Sequence, residues 1–193
     1  MKVILVNRKK LKLVCILFLL MISIFGVGQI VKGKLNPVSF MQNDIKSLKK
    51  YTALEGKLSY ELPEEWVCKT KSFPGNQIIY HNEFMAKDMS ITGFVQVWQQ
   101  KGDLKNFLEN SKEVSEKANK IKKYKIKKLE LEDRSGYHIK YIMDINGKEY
   151  VANEYFIKYN EGFLRFSFFN KKENSKGDMD TLYTAILKTI QLK

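Results

Sequence analysis

Residues 137–159 read YHIKYIMDINGKEYVANEYFIKY, and they hold the clearest β-hairpin of the chain. Tyr137, Ile139, Tyr141, Met143 and Ile145 alternate with His138, Lys140, Ile142 and Asp144, of which all but Ile142 are polar. Successive side chains of a strand point to opposite sides, so this spacing predicts a strand with one apolar face. Asn146-Gly147 follows, a pair suited to the positive φ angles of a two-residue type I′ turn. Glu149 to Tyr159 is again rich in aromatic and β-branched residues and reads as the returning strand.

The neighbouring segments extend this hairpin into a meander. Asn160-Glu161-Gly162 is a turn, and Phe163 to Asn170 a further strand. Alternation puts Phe163 and Phe169 on one face of that strand and Phe166 and Phe168 on the other. Both faces are therefore expected to be covered by helix or loop, with a groove for a peptide or lipid as the functional alternative. Upstream, Tyr124 to Glu132 reads as a strand that turns near Asp133-Arg134-Ser135-Gly136.

Two amphipathic helices frame the meander. Asp103 begins the first, with Leu104, Phe107, Leu108, Ser111, Val114 and Ala118 at helical steps. The second runs from Asp178 to Leu192, with Met179, Leu182, Tyr183, Ile186, Leu187 and Ile190 on one side. Before the first helix come strands at Leu58–Leu62, Val67–Ser72, Gln77–Tyr80 and Ser90–Gln99, with a turn at Pro74-Gly75-Asn76. Strands, helix, antiparallel strands and helix, in that order, predict an α+β domain in which helices flank an antiparallel sheet.

The run Tyr60-Glu61-Leu62-Pro63-Glu64-Glu65-Trp66 adds a resemblance. A strand entering Pro-x-x-Trp, a strand near Ile78-Ile79-Tyr80, and Ile91-Thr92-Gly93-Phe94-Val95 before an amphipathic helix resemble the PsbP-like α/β/α sandwich family. The meander and a closing helix ending near Thr189-Ile190 carry the resemblance over nearly all of residues 57–193. It implies the fold, and an exported or anchored bacterial protein. It implies no particular activity, because one fold hosts many tasks. Trp66 is expected to anchor the core and Pro63 to stop a strand.

The N-terminal region supplies the location. Lys2, Arg8, Lys9, Lys10 and Lys12 precede an uncharged apolar run from Leu13 to Val31. At ~1.5 Å per residue, a helix of that length just crosses a ~30 Å hydrocarbon core. The basic flank predicts a cytoplasmic tail over 1–12, a transmembrane signal anchor over 13–31 in contact with membrane lipid, and everything beyond outside the cell. The alternative is a cleaved signal peptide, cut near Gly28 after Gly26-Val27-Gly28, which would release a secreted domain. Residues 32–56 read as a juxtamembrane helix or linker. Asn36 is placed to cap it, Pro37 to start it and Gly56 to stop it, with Met41, Ile45, Leu48 and Thr52 along one side. The domain then spans 57–193, the size of one ordinary folding unit.

Charge follows the same division. The net charge is +13, and the residues through Gly56 hold ten Lys/Arg against two Asp/Glu, so the later part is only mildly basic. Its one dense cluster is Lys117, Lys120, Lys122, Lys123, Lys125, Lys127 and Lys128. A solvated face explains such a run. The functional alternative makes Lys120, Lys122, Lys123, Lys125, Lys127 and Lys128 contacts for an anionic wall polymer or lipid head groups. Nucleic acid is not expected as a partner of an exported domain.

Catalytic parts are scarce. The sequence has no Gly-x-Ser-x-Gly, Ser-x-x-Lys or His-Glu-x-x-His pattern and no phosphate-cradling glycine loop. His81, Glu83 and Asp88 could be imagined as metal ligands on a loop, but that spacing is common by chance, and neither metal nor cofactor is expected. His138 is expected to be exposed beside Lys140, and Cys68 to be a buried or half-buried free thiol with no partner for a disulfide in the exported part. The expectation is a membrane-tethered, extracytoplasmic binding or accessory module for an envelope protein or an anionic polymer, not an enzyme. A hydrolase of envelope substrates using Glu and His residues in a cleft is the alternative. A spacer that holds a partner near the membrane is a third reading.

Overall fold

The computed structural model describes residues 47–100, 102–118, 121–131, 134–174 and 178–193. Its strands are β1 (Leu48–Ala53), β2 (Leu58–Pro63), β3 (Val67–Thr70), β4 (Ile78–Met85), β5 (Ile91–Trp98), β6 (Ile121–Leu131), β7 (Arg134–Ile145), β8 (Lys148–Tyr159), β9 (Gly162–Lys171) and β10 (Gln191–Leu192). The helices are α1 (Leu104–Ala118) and α2 (Asp178–Lys188), with a short 3-10 turn at Lys172–Asn174. Seven strands form one antiparallel sheet in the order β3-β4-β5-β9-β8-β7-β6, and β1-β2-β10 form a smaller one.

The meander follows the turn chemistry of its sequence. Asn146 and Gly147 take φ of 51° and 78°, and the Gly147 N–H donates to Asp144 Oδ1 at 2.9 Å. The turn fixes the register of β7 and β8, from Ile145 opposite Lys148 to Gly136 opposite Ile157. The Asp103 carboxylate caps α1 by accepting from the Asn106 N–H at 2.9 Å.

Two cores lie on opposite faces of the large sheet. On one face α2 and the small sheet pack Leu182, Tyr183, Ile186, Tyr60 and Leu62 against Val95, Tyr155, Phe166 and Phe168. On the other, Leu104 and Leu108 of α1 pack with Trp98, Phe94, Phe156, Phe163 and Phe169. The opposite facings of Phe163/Phe169 and Phe166/Phe168 expected from alternation are therefore observed. Trp66 is buried and stacks on Phe84, ring centroids 5.1 Å apart. Beside it, Gly93 is needed for close approach, since a Cβ there would lie 2.5 Å from the Phe84 ring and 2.0 Å from the Ser167 carbonyl oxygen.

Three elements differ from the sequence reading. The helix expected over 36–56 is a strand where the described residues reach it. Leu48–Ala53 pairs antiparallel with β2 and buries Ala53, so the packed unit takes in residues before Lys57. The apolar spacing that suggested a helix there is met by pairing with an existing strand. The closing helix ends at Lys188 rather than Leu192, because Gln191 and Leu192 join the edge of β2. Strand β4 runs on to Met85, which places His81 and Glu83 on a strand and not on a loop. Among the described residues no helix is long and apolar enough to cross a membrane; the segment 13–31 lies outside them.

Candidate polyanion-binding face

Edge strand β6 carries the lysine cluster beside β7. Lys122 lies opposite Ile142, Lys125 opposite Lys140 and Lys127 opposite His138. Opposed residues share a face, and Ile142, Lys140 and His138 are two residues apart, so all three lysines project from the face that carries α2. In sequence Lys122 and Lys125 are three apart and ought to face opposite ways. A bulge between them absorbs the extra residue, with Lys123 at φ 56°. Lys128, opposite Tyr137, projects from the α1 face.

Lys125 and Lys127 are exposed, and no acid lies within ion-pair distance of either among the described residues. Lys122 is 3.4 Å from Glu149, which also pairs with Lys172, and Lys140 is 3.5 Å from Asp180 at the start of α2. Behind the lysines, His138 lies flat on Tyr155, centroids 4.4 Å apart and planes within 4°. Its Nε2 is 3.0 Å from Asn153 Oδ1, an oxygen that only accepts, so Nε2 carries the proton and Nδ1 remains an acceptor. Burial lowers the His138 pKa below its ordinary 6.5, with Lys140 and Lys127 adding to the effect against Asn153 and Asp180.

The α1 face holds a second polar group of different character, buried at Trp98, Gln96 and His81 and reaching the surface through Glu83 and Lys71. Trp98 Nε1 donates to Gln96 Oε1 at 2.8 Å, the Gln96 amide meets His81 Nδ1 at 2.9 Å, and His81 Nε2 meets Glu83 Oε1 at 3.3 Å. Lys71 closes this chain on Glu83 at 2.7 Å. Burial raises the Glu83 pKa, but the hydrogen bonds from His81 and Lys71 outweigh it and hold the carboxyl below its ordinary value. Nearby, Arg165 meets Glu154 Oε2 through Nε at 2.9 Å and Nη2 at 2.6 Å, while Tyr141 donates to Oε1 at 2.7 Å. A shallow depression of about 360 Å³ at the end of the sheet is lined by Gln100, Gly102, Asp103, Lys158 and Glu161, among others.

No family model and no curated protein matches the sequence. Solved structures match the fold. Cyanobacterial PsbP from Synechocystis sp. PCC 6803 superposes with a TM-score of 0.56 at 9% identity, covering 84% of this chain and 99% of that one. The fold is PsbP-like. A protein from Bacteroides thetaiotaomicron VPI-5482 is similar with a TM-score of 0.51 at 12% identity, covering 75% of this chain and 48% of that one, so this chain spans about half its length. At these identities the likeness concerns the fold alone.

The PsbP-like domain sorts the residues singled out from sequence. Lys122, Lys125 and Lys127 come together on one face, joined by Lys140. Lys123 sits in the bulge and Lys128 on the other side, while Lys120 lies outside the described residues and the Lys117 side chain is not described. His138 is half-buried rather than exposed, because Tyr155 offers its ring as a platform. His81 and Glu83 meet, but Asp88 turns away to bond the Ser90 N–H and hydroxyl, and no group of three metal-ligating side chains forms among the described residues. Cys68 is half-buried, and burial raises its pKa. The Glu154–Arg165–Tyr141 group was missed; its signal, polar residues inside the otherwise aromatic strands β8 and β9, was present.

Proposed function

We propose that the chain is a membrane-tethered, extracytoplasmic binding module that recognises an anionic partner, an envelope polymer or the acidic surface of an envelope protein, through the lysine face of β6 and β7. The observation that carries this reading is the alignment of Lys122, Lys125 and Lys127 on one face, with Lys125 and Lys127 free of any acidic partner among the described residues. Unpaired cations on a folded surface are available to a ligand without first breaking an ion pair. The uncharged run 13–31 and its basic flank support the tether and an outward-facing domain.

The chemistry of the histidines favours binding over hydrolysis. Both ring nitrogens of His81 are engaged, and its side chain is fully buried. A general base needs a nitrogen that reaches the substrate proton. His138 keeps Nδ1, but Nε2 is committed to a neutral amide, not to a carboxylate that would strengthen it as a base.

Crosslinking in intact cells tests the proposal, with the full chain, a Lys122→Gln/Lys125→Gln/Lys127→Gln variant and an anchor-only control. Enrichment of an anionic polymer or acidic envelope protein by the full chain alone is the expected result. Equal capture by all three would end the reading, as would a domain that resists protease added to intact cells but is cut after lysis.

A further inference from the structure

We infer that the lysine row is a track for a linear phosphodiester polymer whose phosphates are joined by short hydroxylated bridges. This rests on the reading of the face as an anion-binding surface and names the ligand class. The row is regular in space although it is irregular in sequence. Its lysines stand opposite Ile142, Lys140 and His138, each two residues from the next, so their roots repeat at about 6.7 Å along the edge. In a phosphodiester chain with a three-carbon bridge, successive phosphates are six bonds apart, about 7.5 Å when extended, because each bond of ~1.5 Å advances about 1.25 Å along the zigzag. One phosphate can therefore meet each lysine, the flexible lysine stems taking up the small difference in repeat and Lys122 giving up its exposed contact with Glu149.

The second row suits the bridges. Ile142 is half-buried beside Lys122 and offers an apolar contact to a carbon linker. Lys140 sits behind Lys125 and adds a second cation to the central phosphate, at the cost of its exposed contact with Asp180. His138 lies behind Lys127 with Nε2–H fixed by Asn153, so its Nδ1 can accept from a bridge hydroxyl. The track is narrow, bounded on one side by α2, whose Asp180 reaches Lys140, and on the other by the sheet edge. A single extended chain fits that shape better than a planar lipid surface, which would engage the faces of several elements at once.

The test measures binding of the full-length chain, held in neutral detergent micelles, to poly(glycerol phosphate) across a salt series. Polyglutamate of matched charge and anionic phosphatidylglycerol vesicles serve as comparison ligands. Each phosphate met by a lysine contributes about 0.7 to the slope of log affinity against log salt, so three contacts give a slope near −2. Lys125→Gln/Lys127→Gln is expected to lower affinity at least tenfold and flatten the slope. Lys128→Gln/Lys148→Gln, of equal charge change on the opposite face, is expected to leave both unchanged. Equal weakening by the two variants, or equal binding of polyglutamate, overturns the track while leaving an anion-binding face in place. Binding to vesicles alone overturns the polymer in favour of lipid. Binding to none of the three overturns the track together with the anion-binding reading beneath it.

Discussion

Arg165 grips Glu154 from two nitrogens of one guanidinium, at 2.9 and 2.6 Å on the same carboxylate oxygen, inside the core beneath α1. The guanidinium is sandwiched between Phe94 and Phe156, 4.9 and 5.3 Å from their ring centroids. The pair is thus removed from water, and each charge depends on the other. Arg165→Met is expected to cost about 3–5 kcal/mol, because it strands a buried carboxylate. Replacing Glu154 by Leu, Arg165 by Met and Tyr141 by Phe together is expected to cost much less than the separate losses combined. Urea unfolding of the three single variants and the triple variant beside the parent decides this; additive losses would show that the charges do not depend on one another.

Ser167 lies in the same layer, with its Oγ buried and without a hydrogen-bond partner among the described residues. A desolvated hydroxyl of this kind costs about 1–3 kcal/mol. Ser167→Ala keeps the Cβ and removes the orphaned group, so it is expected to raise stability by about 1 kcal/mol. A fall in the urea midpoint would show that the hydroxyl has a partner in solution.

His138 ties stability to pH. Its pKa is lowered in the folded chain, chiefly by burial, so between the unfolded and folded values the unfolded chain binds more protons. Stability from this group is complete above the unfolded value of about 6.5 and is lost as pH falls toward the folded value. His138→Gln is expected to lose less stability than the parent between about pH 7.5 and about pH 5.5. Parallel denaturation curves at the two pH values measure it, and an unchanged difference would exclude His138 as the cause.

Gly93 tests the packing of β5 against β4 and β9. Its missing Cβ leaves room for the Phe84 ring and the Ser167 carbonyl. Gly93→Ala forces backbone and ring to shift, an overpacking cost of about 1–3 kcal/mol or more. Pairing it with Phe84→Leu should recover part of the loss, as thermal unfolding would reveal; no recovery would place the clash on the backbone alone.

Much of the fold was readable because its signals were local. Asn146-Gly147 set the central hairpin, and the alternation of Phe163 to Phe169 set the two covered faces. The small sheet was not readable, since Leu48–Ala53 becomes a strand only when β2 and the returning β10 offer an edge. The lysine face was half-readable for a related reason. Its residues were evident as a cluster, but the bulge at Lys123 resets the two-residue count, so their common facing depends on β7. His138 was misjudged because its platform, Tyr155, is seventeen residues away in sequence and is brought beneath it by strand pairing.

The bulge in β6 also bears on edge-to-edge pairing between copies of this protein. β6 is the outer strand of the large sheet, with a row of backbone groups that could template a strand from another molecule. A bulge near the start of the strand, between Lys122 and Lys125, and a line of lysines along it disfavour a second edge lying flush against it. The features that would receive a ligand also end the sheet, so a mutant that straightens the edge and neutralises it would gain a new liability in self-assembly.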